Sequence, residues 1–358
     1  MVNKKVKISF LIISIVAAVA VLIAGVAIAI LLKEDKVSDS TSDIEVTVGV
    51  SVRIDEKIFP DKIFRGYISK EIDINADGEL SYDEIKSTTT IKVANMGISS
   101  LKGIELFTEL EMLSCSMNKL TEIDISKNTR LTHFGCSENQ LTELDVSNNI
   151  KLQNFDCGLN KLTELDLSNN PDIEYLSCQK NELVSIELCR QRNLVYMLCS
   201  GNKLTELDIA KLPNLVIMHC SENNLTELDF SGNIELGVLQ CDNNNLTSLN
   251  VTSNVLLTNI YCANNELTEL SLPLNILLYM LDCENNKLTS LDVSRCNGIS
   301  AINCSNNEIS SLTLGDANEL SKLYCTNNKL TKLDIGGCES LDTSDTECFK
   351  IDDGVELS

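Results

Sequence analysis

Eleven cysteines recur every 21 residues, from Cys115, Cys136 and Cys157 onward to Cys325, with no insertion or deletion between them. Three residues after each stands an asparagine, from Asn118 and Asn139 to Asn328. A fixed period of about 20–50 residues means stacked units, each too small to bury a core alone and each completed by its neighbours. For residues 110–340 this excludes an ordinary layered domain, whose loops vary in length and would lose the count.

One unit is Leu131-Thr-His-Phe134-Gly-Cys136-Ser-Glu-Asn139-Gln-Leu141-Thr-Glu-Leu144-Asp-Val146-Ser-Asn-Asn149-Ile-Lys151. It reads twice as apolar-x-x-apolar-x-apolar-x-x-Asn. Apolar positions two apart, such as Phe134 and Cys136 or Leu144 and Val146, alternate with polar ones, the pattern of a half-buried strand. Each half is therefore a short strand followed by a turn. Stacking in register predicts a mainly β solenoid with two parallel sheets on opposite sides, rising roughly 4.8 Å per unit.

This pattern resembles that of bacterial leucine-rich-repeat proteins of the 21-residue nested class, Leu-x-x-Leu-x-Cys-x-x-Asn-x-Leu-x-x-Leu-Asp-Leu-x-x-Asn-x-x. The resemblance covers residues 110–340, and the preceding unit, with Ile98-Ser-Ser-Leu101-Lys-Gly-Ile104, is similar to the 22-residue internalin type. The repeats are thus placed at residues 91–340, about 11–12 units, with a C-terminal cap at residues 341–358 covering the open edge of the last one. The resemblance implies an internalin-like surface protein that binds a protein or glycan partner.

The cysteines read as core. In-register side chains point the same way and do not face one another for disulfides, and a free cysteine behaves as a small buried hydrophobe. Cys338 with Cys348 in the terminal cap is left open as a pair. The asparagine amides read as turn structure, satisfied by backbone groups of their own and the adjoining unit.

Before the repeats the chain changes character three times. Residues 1–7 carry Lys4, Lys5 and Lys7, and residues 8–32 hold no charge over 25 residues, long enough to cross a bilayer as a helix. A cleaved signal peptide has an apolar core of about 7–15 residues, so this segment reads as an uncleaved signal anchor. The positive-inside rule then puts residues 33–358 outside the cell. Residues 33–56 read as a linker.

Residues 57–90 read as a small helical cap, with a helix from Phe59 to Ile68 that starts at Pro60. Behind it Asp73-Ile-Asn75-Ala-Asp77-Gly78-Glu79-Leu80-Ser81-Tyr-Asp-Glu84 matches a 12-residue EF-hand loop. Calcium is the cofactor this implies. Asp73, Asn75 and Asp77 would give side-chain oxygens, Glu79 its carbonyl, Ser81 a water, and Glu84 both carboxylate oxygens.

On the first sheet the outward columns place Tyr175, Tyr196, Leu198, Ile217, His219, Val238, Tyr261 and Met280 together, a candidate partner-binding patch. On the second, Glu122, Glu143, Glu164, Glu206, Glu227 and Glu269 stand beside Asp124, Asp145, Asp166, Asp208, Asp229, Asp292 and Asp334. With a net charge of −23, such a face argues against nucleic acid as a partner. No catalytic constellation is recognisable in the sequence, and the expectation is a binding protein, not an enzyme. The alternative is a rigid spacer or envelope component without a specific ligand.

Overall fold

An inward residue between two outward ones, followed by a turn, leaves room for strands of three residues, and that is the unit observed. The computed structural model describes residues 51–188 and 190–358. The basic end, the anchor at residues 8–32, most of the linker and Cys189 lie outside the described residues. Among the described residues no helix is long and apolar enough to cross a membrane.

Thirteen parallel strands form one sheet, from Thr90–Lys92 through Met112–Ser114 and its ten 21-residue successors to Phe349–Lys350. Neighbours pair residue for residue at the repeat interval, as Tyr196 with Ile217, Met197 with Met218 and Leu198 with His219. Twelve steps of roughly 4.8 Å give the sheet a length of about 58 Å. The middle residue of each strand, such as Phe134, Leu176 or Met218, is buried, as are the eleven repeat cysteines.

Those cysteines are free thiols, and so are Cys296, Cys338 and Cys348, so the conceivable terminal pair does not form. Burial pushes the repeat thiols up, Cys178 to about 12, with Asp156 adding to the effect. They are therefore packing groups, not thiolates.

The repeat asparagines make the coil cohere. Asn223 Nδ2 donates to the carbonyls of Cys220 at 3.0 Å and Cys199 at 3.1 Å, and its Oδ1 accepts the Leu204 amide at 3.0 Å. The same three bonds recur from Asn139 to Asn328, each amide reaching back to the preceding unit. Amide does not stack on amide; each bridges two turns of backbone. The second asparagine of each unit does less. Asn149 Nδ2 donates to the carbonyls of Ile125 and Asn128, but the Oδ1 atoms of Asn128, Asn149, Asn170, Asn233 and Asn254 have no protein partner.

The second sheet is only partly realised. Ladders on that side join Ser248–Asn250 to Glu269–Ser271, Ser290–Asp292 to Ser311–Thr313, and Lys332–Leu333 to Glu356–Leu357. From residue 121 to residue 230 the corresponding segments form no strand. The charge pattern contributes to this. Between successive turns from Glu122 to Asp229, every pair sets carboxylate against carboxylate in at least one column, such as Glu143 against Glu164 and Asp145 against Asp166. Like charges directly opposite destabilise a strand pair. All three ladders fall where no like charges face each other.

The unpaired turns also cover their floor less well. Leu249 and Leu291 are 1% and 2% exposed, whereas Ile123, Leu144 and Leu228 are only partly buried. Replacing Glu143 by serine and Asp145 by asparagine, which leaves no like charges facing this turn, is expected to let it pair, slowing hydrogen exchange at residues 143–146 and 164–167 at least tenfold. Unchanged exchange would show that charge is not what holds this side open.

At the N-terminal end one helix boundary departs from the sequence reading. The N-terminal helix α1 is Lys62–Tyr67, two residues later than Pro60 implies, because the Asp61 carboxylate caps it through the amides of Ile63 and Phe64. It continues as a π-helical turn, Ile68–Ile72. The other Asp61 oxygen accepts from the amide and hydroxyl of Ser99, both at 2.8 Å, tying the cap to the first coil. Burial pushes this carboxyl up, but the four hydrogen bonds outweigh it and leave it below its ordinary value. At the other end, residues 341–358 lie against the last repeat. Phe349–Lys350 pairs in parallel with Leu323–Tyr324 and adds a turn to the coil. There the Asp352 carboxylate accepts the amides of Asn327 and Asn328.

Candidate functional site

The sheet brings the sequence-predicted patch together but hides part of it. Tyr196 is 37% exposed, and Tyr175, His219, Val238, Tyr261 and Met280 are half-buried. Leu198 and Ile217, read from the sequence as outward and available, are 4% and 5% exposed. The reason is register. Tyr175, Tyr196 and Ile217 lie directly side by side, as do Ser177, Leu198 and His219, and at strand spacing large neighbours cover each other. The Tyr175 and Tyr196 rings stand 6.2 Å apart, tilted by 46°. Burial holds the Tyr175 hydroxyl up at about 12.

Exposed apolar residues that strand alternation does not reveal extend this surface at the rim of the sheet. Tyr279 precedes Met280, and Ile234, Val255, Leu256, Ile276 and Leu277 stack at the turn before the sheet strands. Their signal in the sequence is positional: each follows the second asparagine of its unit by one or two residues.

Beside the patch lies a shallow polar hollow of about 530 Å³ lined by His219, Asp242, Tyr261, Asp282 and Glu284 among others. Asp242 accepts from the Ala263 amide at 2.9 Å and the Ser221 hydroxyl at 3.2 Å. Burial nonetheless raises its carboxyl above the ordinary range, and burial first, then nearby Asp242 and Glu284, does the same to Asp282 against the Glu284 amide. Burial lowers both histidines, so His219 and His133 are biased toward neutrality. His133 is further engaged by Thr132 and Asn154.

In the cap, Asp73, Asn75, Asp77, Glu79 and Ser81 lie between the π-helical turn that extends α1 and a second helix α2, Tyr82–Ser87, with Glu84 in the first turn of α2. Asp73 Oδ2 accepts the Gly78 amide at 3.0 Å, and Gly78 turns the chain at φ +84°. Glu84 Oε1 accepts the Ile74 amide at 2.8 Å and Oε2 the Ser81 amide at 2.8 Å, completing a capping box for α2. Burial raises the Glu84 carboxyl, and these bonds more than offset it. Leu80 at the back of the loop pairs with Val52. The Glu79 side chain turns away to Arg53. Among the described residues no three acidic, histidine or cysteine side chains converge as a metal cluster. The loop is hard-oxygen in chemistry, but its carboxylates are directed at its own amides.

A leucine-rich-repeat family model matches residues 158–177 and 284–301. The fold and this match define the class: a leucine-rich-repeat protein. Among solved structures, the functional domain of InlJ from Listeria monocytogenes, described as including a cysteine ladder, is 31% identical with a TM-score of 0.71, over 83% of this chain and 71% of that one. By that likeness the chain belongs to the bacterial internalin-like proteins.

An internalin, inlF, from L. monocytogenes str. 4b F2365 superposes with a TM-score of 0.70 over 83% of this chain and 98% of that one, at 20% identity, which speaks to fold alone. Internalin J of L. monocytogenes serotype 4b (strain F2365) is 31% identical over 71 residues, 20% of this chain and 8% of that protein. This chain therefore matches only a small part of that relative's length.

Proposed function

We propose that this protein is a membrane-anchored, extracellular binding protein that captures a protein or glycan partner on the outward face of its thirteen-stranded sheet. The observation that carries this reading is the aromatic and aliphatic surface of exposed Tyr196 and Tyr279 and half-buried Val238 and Met280 on a pre-formed sheet. Large side chains on a rigid support lose little entropy on binding and commonly dominate affinity.

Replacing Tyr196 and Val238 by serine is expected to change stability by no more than about 0.5 kcal/mol each. It should reduce capture of the partner trapped by surface crosslinking at least tenfold. Ile217 is unsuited to this test because its side chain is buried. Undiminished capture would place the partner away from this face, and the absence of any trapped partner would favour the rigid-spacer reading of the solenoid.

The charge-free segment at residues 8–32 supports the anchor, to be checked by carbonate extraction and external proteolysis. Calcium belongs to the same proposal as a structural ion of the cap, on the strength of the six-position oxygen pattern and the Gly78 turn. Asp73 and Glu84 are 4% and 7% exposed, so a bound cation would be shielded. Binding requires Glu84 to release the Ile74 and Asn75 amides. Millimolar calcium is expected to raise the melting temperature of wild type and not of Glu84→Gln, since a ligand of the folded state stabilises by mass action. A wild-type melting curve indifferent to calcium would remove the ion from the account.

A further inference from the structure

The carboxylate columns that keep the second side unpaired leave a groove there. Two hollows of about 630 Å³ each meet at Ser185 and Glu187 and together run from Glu122 to Asn250. Their apolar floor is Ile123, Leu144, Leu165, Ile186, Leu207 and Leu228, and eleven carboxylates form their rims. No lysine or arginine lines either hollow. The backbone N–H groups of residues 142–146, 163–167, 205–209 and 226–230 donate to no backbone carbonyl. An apolar strip between two anionic rails has a definite complement.

We propose that this groove is a second docking surface, separate from the main sheet, for an extended amphipathic protein segment that alternates cationic and aliphatic residues. Aliphatic side chains would cover the partly exposed floor at Ile123, Leu144 and Leu228, and lysine or arginine would neutralise the facing Glu and Asp columns. Six steps of roughly 4.8 Å make the groove about 29 Å long, the span of some eight to nine extended residues. Charge complementarity selects this occupant: an acidic segment or an anionic surface meets like charge along the whole length.

The test uses the full-length protein in a neutral-lipid nanodisc and a labelled alternating Lys-Leu peptide of about ten residues. Anisotropy is expected to show it bound at least tenfold more tightly than the Lys-Ser analogue. The variant Glu143→Gln, Glu164→Gln, Glu206→Gln, Glu227→Gln should lose at least tenfold. A control neutralising Glu138, Glu174, Glu235 and Glu319, exposed elsewhere, should stay within about twofold. Hydrogen exchange should slow at residues 142–146 and 205–209 on peptide addition.

Equal binding of the Lys-Ser peptide, or an equal loss in the control, would reduce the effect to net-charge attraction and overturn the proposal. So would protection confined to the main sheet, or no binding.

Discussion

Asn223→Leu, at the centre of the coil, is expected to cost about 2–4 kcal/mol and to split unfolding into two transitions. The Cys199 and Cys220 carbonyls each accept from a second amide, Asn202 and Asn244 respectively, so neither is orphaned. The Leu204 amide has only Asn223 Oδ1, and leaving a buried N–H unsatisfied costs about 1–3 kcal/mol beyond the lost bonds. Since a solenoid's stability is a sum of unit and interface terms, weakening one interface uncouples the halves. Asn233→Leu, in the second slot, is expected to cost less, because Asn233 Oδ1 is already unpartnered. Chemical denaturation followed by circular dichroism distinguishes the two; equal losses would refute the assignment.

The same difference explains what is legible in the repeats. All eleven first-slot positions are asparagine, whereas the second slot also holds Gln191, Leu212, Cys296, Ala317 and Cys338. A side chain whose donor and acceptor both bridge turns cannot be exchanged; one used at only one end can. The main sheet is equally legible, because inward residues such as Phe134 and Cys136 alternate with outward ones at a constant 21-residue interval.

The second side is read less well, for a physical reason. Glu143-Leu144-Asp145 has the strand pattern of Ser290-Leu291-Asp292, but pairing depends on what faces it one turn away. Alternation along one strand carries no information on that. The same limit applies to the binding face. Strand alternation places Ile217 outward, and only the stacked neighbours Tyr196 and Val238 decide that it is covered. In the cap, spacing identifies the loop residues, while the direction of the Glu84 carboxylate depends on the amides of Ile74, Asn75 and Ser81.

The cap's attachment gives the other large effect. Gly103 holds φ +100°, and a Cβ there would run into the Phe59 ring and come within 3.1 Å of the Ile58 carbonyl. Phe59 is buried and packs edge-on against Phe64, with ring centroids 5.9 Å apart, so it has no room to yield. Gly103→Ala is expected to destabilise the cap by about 2–5 kcal/mol, joining positive-φ strain to overpacking. Limited proteolysis should then cut between residues 56 and 88 while residues 120–330 stay protected.

Gly201→Ala separates the two causes. Gly201 also has positive φ, at +69°, but the equivalent positions one unit away, Lys180 and Glu222, adopt φ 54° and 55° with side chains. The nearest atom to its added Cβ is the flexible Lys180 Cγ at 3.1 Å. Its cost should stay near the roughly 1–2 kcal/mol of backbone strain. If Gly103→Ala costs no more than Gly201→Ala, the close approach of Phe59 to the first coil is not what holds the cap in place, and the Asp61 bonds to Ser99 must carry it instead.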